Sequence, residues 1–295
     1  MRANLLLALA CALFFAGNVL ARDTAPLRVN APASVSVGDP FTVSVGTELS
    51  LTGVEITWLG ESVRLPLSRN NGTRRGKIIL GTEVGEDEPG TRWIGIRPLD
   101  DKGLVHKRRI TVQGKDFPSQ HLSLPEGSVT LSQSQLKRYR KDKRAIGAVL
   151  SSTDGERSWR NSFIWPVHGE ITSTYGLDRI LNGQPRSPHR GVDVAVPSGT
   201  PVRAMDSGRV TLTGEFLFEG KAVFIDHGLG VISMYFHLAS IHAEQGDRVK
   251  QGEVIGRSGV SGRTSGPHLH FGLSVLDRLV NPLPLLGDES ARHSD

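Results

Sequence analysis

Four histidines and one aspartate in the last third of the chain fall into three short motifs: His189-Arg190-Gly191-Val192-Asp193, Tyr235-Phe236-His237-Leu238 and Gly266-Pro267-His268-Leu269-His270. Imidazole and carboxylate are both zinc ligands, and their spacing decides whether they can meet. In an extended strand successive side chains alternate faces, so His268 and His270 point to the same side and offer two imidazoles to one cavity. His189 and Asp193 share parity if Val192 to Val196 is extended, and the loop before them can aim His189 at the same point. Two histidines and a carboxylate around a metal leave a fourth position for water, the arrangement of a hydrolytic zinc site rather than a closed structural one. A His-x-His or a His-x-x-x-Asp by itself is more often a hydrogen-bonded pair than a metal site. The company of these motifs changes the reading: Arg186-Ser187-Pro188 precedes one and Gly266-Pro267 the other. Both therefore begin where a loop hands over to a strand, where sites are commonly built.

These residues resemble the lysostaphin-like (LytM-type) zinc endopeptidases that cut peptidoglycan peptides. The resemblance runs from Trp165-Pro166-Val167 through Ile171-Thr172-Ser173, Tyr175-Gly176, Pro188 to Asp193 and Pro197-Ser198-Gly199-Thr200-Pro201-Val202. It continues through Ser207-Gly208-Arg209-Val210, Tyr235 to Leu238, Gly246-Asp247-Arg248-Val249, Gly252, Ile255-Gly256 and Ser265 to Phe271. It implies one zinc per chain, bound by His189, Asp193 and His270, with His237 and His268 as non-ligand histidines beside the bound water. The chemistry agrees with those roles. Zinc lowers the pKa of bound water to roughly 7 and polarises a carbonyl. An imidazole titrating near neutrality can take a proton from the water, give one to the departing amine and, when protonated, stabilise the oxyanion. His227, in Ile225-Asp226-His227-Gly228, reads as a structural hydrogen-bonding residue, and His106, His121, His168, His242 and His293 receive no role.

The elements that must position these groups read as an all-β protein: an N-terminal β-sandwich and a C-terminal antiparallel β-sheet zinc peptidase domain, joined by a helical linker. Residues 161–286 carry strand candidates at Gly208 to Thr213, Lys221 to Asp226, Val231 to Phe236, Arg248 to Val249, Glu253 to Gly256 and His268 to Val275, separated by glycine-rich turns. Residues 22–115 carry short β-branched runs at Ser34 to Val37, Pro40 to Val45, Val54 to Leu59, Ser62 to Leu67, Lys77 to Leu80, Thr91 to Pro98 and Lys107 to Val112. That module resembles the immunoglobulin-like domain found before some of these peptidases, and it holds no catalytic constellation. In the linker, residues 116–160, Ser132-Gln133-Ser134-Gln135 has capping-box spacing ahead of good helix formers. Residues 287–295 form a polar tail.

Residues 1–21 read as an export signal, with Arg2, an apolar stretch from Leu5 to Phe15 and a small-residue cleavage site at Val19-Leu20-Ala21. The expected location is the periplasm or cell envelope; an uncleaved anchor or lipid attachment at Cys11 is the second choice. Cys11 is the single cysteine, so a cleaved chain has no disulfide and depends on packed cores. The formal charge of +5 is uneven: Lys137, Arg138, Arg140, Lys141, Lys143 and Arg144 form a basic block. Its first meaning is a solvated helix face, and its second a weak contact with an anionic envelope surface. Export argues against nucleic acid as a partner, and the family resemblance implies peptidoglycan peptides as the substrate. The rival functions are a non-catalytic wall-binding or amidase-activating module on the same fold, and a zinc hydrolase of other exported peptides. The N-terminal module and linker are expected either to cover the cleft, through a loop such as Arg69 to Arg75, or to position the enzyme on the wall.

Overall fold

The computed structural model describes residues 27–101, 105–122, 131–153, 155–160, 162–181, 183–185 and 187–287. The expected export signal with Cys11, and the tail after Gly287, lie outside the described residues.

The first part is a two-sheet sandwich of nine strands: β1 (Arg28–Asn30), β2 (Ser34–Ser36), β3 (Pro40–Thr47), β4 (Gly53–Trp58), β5 (Glu61–Pro66), β6 (Ser68–Asn70), β7 (Thr73–Gly81), β8 (Gly90–Pro98) and β9 (His106–Gln113). Their order is β1-β3-β7-β6 in one sheet and β2-β9-β8-β4-β5 in the other. Alternation builds the core: Val54, Ile56, Trp58, Val63, Leu65, Ile94, Ile96, Ile110 and Val112 are buried from one sheet, and Val43, Val45, Ile78 and Leu80 from the other. Two tight hairpins set the register. Leu59-Gly60 and Asn71-Gly72 both have positive φ at each position, the geometry that a two-residue turn needs to match strand twist.

Strand β10 (Ser119–Leu122) pairs in parallel with β12 (Asp178–Leu181), which pairs with β13 (Gln184–Pro185). Helix α1 (Gln133–Leu150) starts at the expected capping box, with Ser132 and Gln135 satisfying each other's backbone N–H. The helix is more than a spacer. Leu150, Ile146 and Val149 pack with Phe216, Phe224 and Met234 on the back of the second domain, and the buried Asp142 carboxylate accepts the Leu217 N–H at 2.8 Å. Lys137, Arg140, Lys141, Lys143 and Arg144 are exposed, whereas Arg138 joins the contact, its Nη2 donating to Glu215 O at 2.9 Å. The stretch from 155 to 160 also docks: Ser158 N–H donates to His227 O and Trp159 is buried.

The second domain is one large sheet. Its main path is β11 (Glu170–Ser173), β14 (Val192–Ala195), β21 (His268–Val275), β18 (Val231–Ile241), β17 (Gly220–Asp226), β16 (Gly208–Phe216) and β19 (Arg248–Val249). Off this path, β15 (Pro201–Arg203) pairs β20 (Val254–Ser258), β20 pairs β18, and β22 (Arg278–Val280) pairs β21. The strand expected to end at Phe236 runs on to Ile241 because it changes partner at His237: it pairs β21 up to Phe236 and β20 from Leu238. The cores of the two domains are continuous, one buried cluster including Val43, Leu80, Val194 and Val280.

Candidate active site

Strand pairing assembles the site. In the β14–β21 ladder Asp193 stands directly across from His270 and Ala195 across from His268, so two neighbouring strands bring the carboxylate and both imidazoles to one face. His189 arrives from the loop before β14. Its backbone is pinned on both sides, by Gly176 N–H to His189 O at 2.7 Å and His189 N–H to Leu177 O at 3.0 Å.

Three ligand atoms converge. His189 Nε2 lies 3.1 Å from Asp193 Oδ1 and 3.0 Å from His270 Nδ1, and His270 Nδ1 lies 2.8 Å from Asp193 Oδ1. Among the described residues these three form a group able to hold a metal ion. Metal bonds of about 2.0–2.1 Å in a tetrahedron place ligand atoms roughly 3.3 Å apart, so the triangle fits with slight expansion. The Nδ1 of His189 is within 3.0 Å of both Thr174 O and Ser173 Oγ. Donation of Nδ1–H to the Thr174 carbonyl leaves Nε2 as the lone-pair nitrogen facing the triangle, the orienting contact that metal-binding histidines use. Gly191 is required by close approach: a Cβ there would stand 2.6 Å from His270 Cε1 and Nε2.

The two remaining histidines stand beside this triangle, their rings 4.8 Å apart. His268 Nδ1 contacts Gly266 O at 2.9 Å, and its Nε2 lies 3.7 Å from Asp193 Oδ1. His237 reaches the site by a backbone device. Phe236 pairs with His270 and stacks on its ring at 5.1 Å, so plain alternation would send His237 to the opposite face. At the partner switch His237 adopts φ +62°, a left-handed conformation costing roughly 1–2 kcal/mol, and its ring turns to meet His268. Its Nδ1 contacts Ser261 O at 2.9 Å, which leaves Nε2 as the lone-pair nitrogen when that contact is a donation. The Ser261–Arg263 turn is braced in turn: Arg263 stacks on Phe218 at 4.1 Å, and Phe218 packs on Tyr139 of α1 at 5.2 Å.

The sequence matches Peptidase family M23 over residues 187–282. Residues 187–282 form an M23 peptidase domain. The chain is 42% identical over 97 residues to the peptidoglycan DD-endopeptidase ShyA of Vibrio cholerae, covering 33% of this chain and 23% of that one. It is 45% identical over 95 residues to the DD-carboxypeptidase/endopeptidase Mpg of Neisseria meningitidis, covering 32% and 22%. The chain thus spans under a quarter of the length of these curated relatives. A crystal structure from Pseudomonas aeruginosa assigned to peptidase M23 is similar over 84% of this chain and 93% of that one, with 28% identity and a TM-score of 0.65.

Electrostatics of the M23 domain follow from burial. The Asp193 carboxyl is pushed up by burial, and the hydrogen bonds from His189 and His270 reverse this and hold it far below the usual carboxylate range. Burial lowers the His270 imidazole and pushes His237 down to about 4, so His237 is neutral at neutral pH. His227 lies away from the metal group, fully buried, with Nδ1 2.8 Å from Ser207 O and Nε2 2.8 Å from Ser233 Oγ. It is the structural residue its position suggested.

Sequence reading missed a clamp between the sandwich and the M23 domain. The segment after β7 meets the loop that carries His189. Arg190 Nε lies 2.9 Å from Glu83 Oε1 and its Nη2 donates to Glu86 at 3.0 Å; Glu83 Oε2 accepts the Leu279 N–H at 2.9 Å. The Tyr175 hydroxyl accepts the Val84 N–H at 3.0 Å and donates to Leu279 O at 2.6 Å. The loop expected to reach the cleft, Arg69 to Arg75, instead borders a cavity with Glu156, Arg157 and Leu229. The partners are separated by 91 to 196 residues in sequence, so no local pattern announces them; Tyr175 and Arg190, lying within the motifs of the family resemblance, were the available signal.

Proposed function

We propose that the chain is an exported zinc endopeptidase that hydrolyses peptide bonds in the cross-links or stems of peptidoglycan. The observation that carries the reading is the convergence of His189, Asp193 and His270 on one point with two further imidazoles, His237 and His268, beside it. The DD-endopeptidase names of the relatives support the substrate class. Bound at the three ligands, zinc would supply a Lewis acid and an acidified water. His189, Asp193 and His270 would hold it, the set of two imidazoles and one carboxylate that a hydrolytic zinc uses. His237, neutral and with Nδ1 anchored on Ser261, accepts a proton at Nε2; His268, anchored on Gly266, is the second imidazole available to donate one to the leaving amine or to face the developing oxyanion. Glycan would stay intact, because the groups present act on a carbonyl flanked by an amine.

The alternative is a non-catalytic wall-binding or amidase-activating module on the same fold. The complete set of three ligands and two histidines argues against it. The test separates metal from turnover. His270→Ala and Asp193→Ala should lose zinc, whereas His237→Ala and His268→Ala should keep it and lose about 10²- to 10⁴-fold in rate. Undiminished zinc in both ligand variants, or parent-like digestion of peptidoglycan by both histidine variants, would overturn the roles assigned.

A further inference from the structure

The outer face of the five-stranded sheet of the sandwich has a composition that folding does not require. Alternation turns Ile94, Ile96, Ile110, Val54, Ile56, Val63 and Leu65 inward, so their neighbours form a second face whose map follows from the strand register. Arg109 stands across from Trp93; Lys107 across from Gly95, then Thr57, then Ser62; Arg97 across from Glu55, then Arg64. Trp93 is 54% exposed in mid-strand, although an indole buries more apolar area than almost any side chain when a core accepts it. Gly95 follows it on the same face, so no side chain fills the space between Trp93 and the Thr57–Ser62 hydroxyls, which lie 2.9 Å apart.

The charge on this face is one-sided. Arg64, Arg97, Lys107 and Arg109 are exposed, and the facing carboxylate, Glu55, is taken by Arg97. Among the described residues no carboxylate pairs with Arg64, Lys107 or Arg109. An unshielded tryptophan beside small hydroxyls and unpaired cations matches a ligand with an apolar ring face, polar edges and carboxylates. The first stacks on the indole, the second meet Thr57 and Ser62, and the third meet Lys107 and Arg109. From Trp93 to Arg97 the platform extends on the order of 14 Å along β8, long enough for more than one ring.

We propose that this face binds the wall polymer, its neutral sugar rings stacking on Trp93 and the carboxylates of its stem peptides meeting Lys107 and Arg109 as anion anchors. The identity of the polymer rests on the peptidoglycan reading of the M23 domain. The binding would hold the enzyme on its polymer independently of the catalytic residues, which lie on the other domain.

The test is co-sedimentation of the full chain with purified, insoluble peptidoglycan, in parallel with cleavage of soluble muropeptide dimers. Trp93→Ala and a Lys107→Glu/Arg109→Glu double variant should weaken sedimentation on the order of tenfold or more. Both should leave cleavage of soluble dimers within about twofold, because exposed substitutions of this kind barely touch stability. Sedimentation of these variants equal to the parent's, or none by the parent, overturns the proposal. So does retention on anionic lipid vesicles in place of peptidoglycan, or a change of oligomeric state in Trp93→Ala, which would make the face a membrane or self-association surface. Trp93-dependent sedimentation by a chain that cuts no dimer supports the platform and rejects the endopeptidase reading.

Discussion

Gly191→Ala perturbs the site without altering a ligand. The new methyl would lie 2.6 Å from Cε1 and Nε2 of His270 and 2.8 Å from Phe271 O, where ordinary contact begins at 3.4 Å. The ring must therefore retreat by roughly 0.8 Å, and close packing gives it little room, since it already stacks on Phe236 at 5.1 Å. Metal bonds hold to within about 0.2 Å, so the displacement is several times the tolerance. Zinc affinity should fall at least 10- to 100-fold, by comparison with the loss of a ligand's supporting contact. Overpacking should cost the metal-free protein about 1–3 kcal/mol. Competition with a chromophoric zinc chelator reads the first effect, and denaturant unfolding without metal the second. Gly266→Ala serves as control because nothing lies within 4 Å of a Cβ there. A folded Gly191→Ala protein with the parent's zinc affinity would refute the packing argument.

Tyr175→Phe leaves the buried Val84 N–H and the Leu279 carbonyl without their shared partner; each such loss costs about 1–3 kcal/mol. Urea unfolding should show it, together with weaker zinc binding through the His189 loop, and unchanged values for both would contradict the clamp. His227 gives a pH dependence. Burial pushes it down to about 4 from 6.5, so between those values the unfolded chain holds the extra proton and stability falls as pH falls. Its contribution is complete above pH 6.5, and about 3 kcal/mol is lost by pH 4; a His227→Gln protein whose loss over that window equals the parent's would count against it. Removing residues before Ser162 strips Tyr175 and Arg190 of their partners and α1 from its apolar seat. Activity on soluble muropeptides should fall; a rise would restore the picture of the module as a cover.

The legible parts of the fold were those with alternation deep enough to bury. Val54-Ile56-Trp58 and Ile94-Ile96 declare their strands, whereas β1 and β6 are three-residue edge strands with exposed ends and no pattern long enough to read. The capping box located α1, yet its docking on Phe216 and Phe224 depends on a weak apolar stripe of Ile146, Val149 and Leu150. The convergence of His189, Asp193 and His270 was legible because Asp193 and His270 stand in short motifs on adjacent strands. The aim of His237 was not, because it depends on a positive φ at the point where β18 exchanges β21 for β20. Pairing Glu83 with Arg190 is likewise a product of the tertiary fold.

The central claim is that His189, Asp193 and His270 hold a zinc that works with His237 and His268 to cut a peptide bond. Incubating the zinc-loaded full chain with defined, cross-linked muropeptide dimers and weighing the products by mass spectrometry tests it most directly. The account predicts monomers with intact sugars, produced by the parent and abolished in His237→Ala. Cleavage between sugar and stem, or intact dimers bound but uncut, would contradict it.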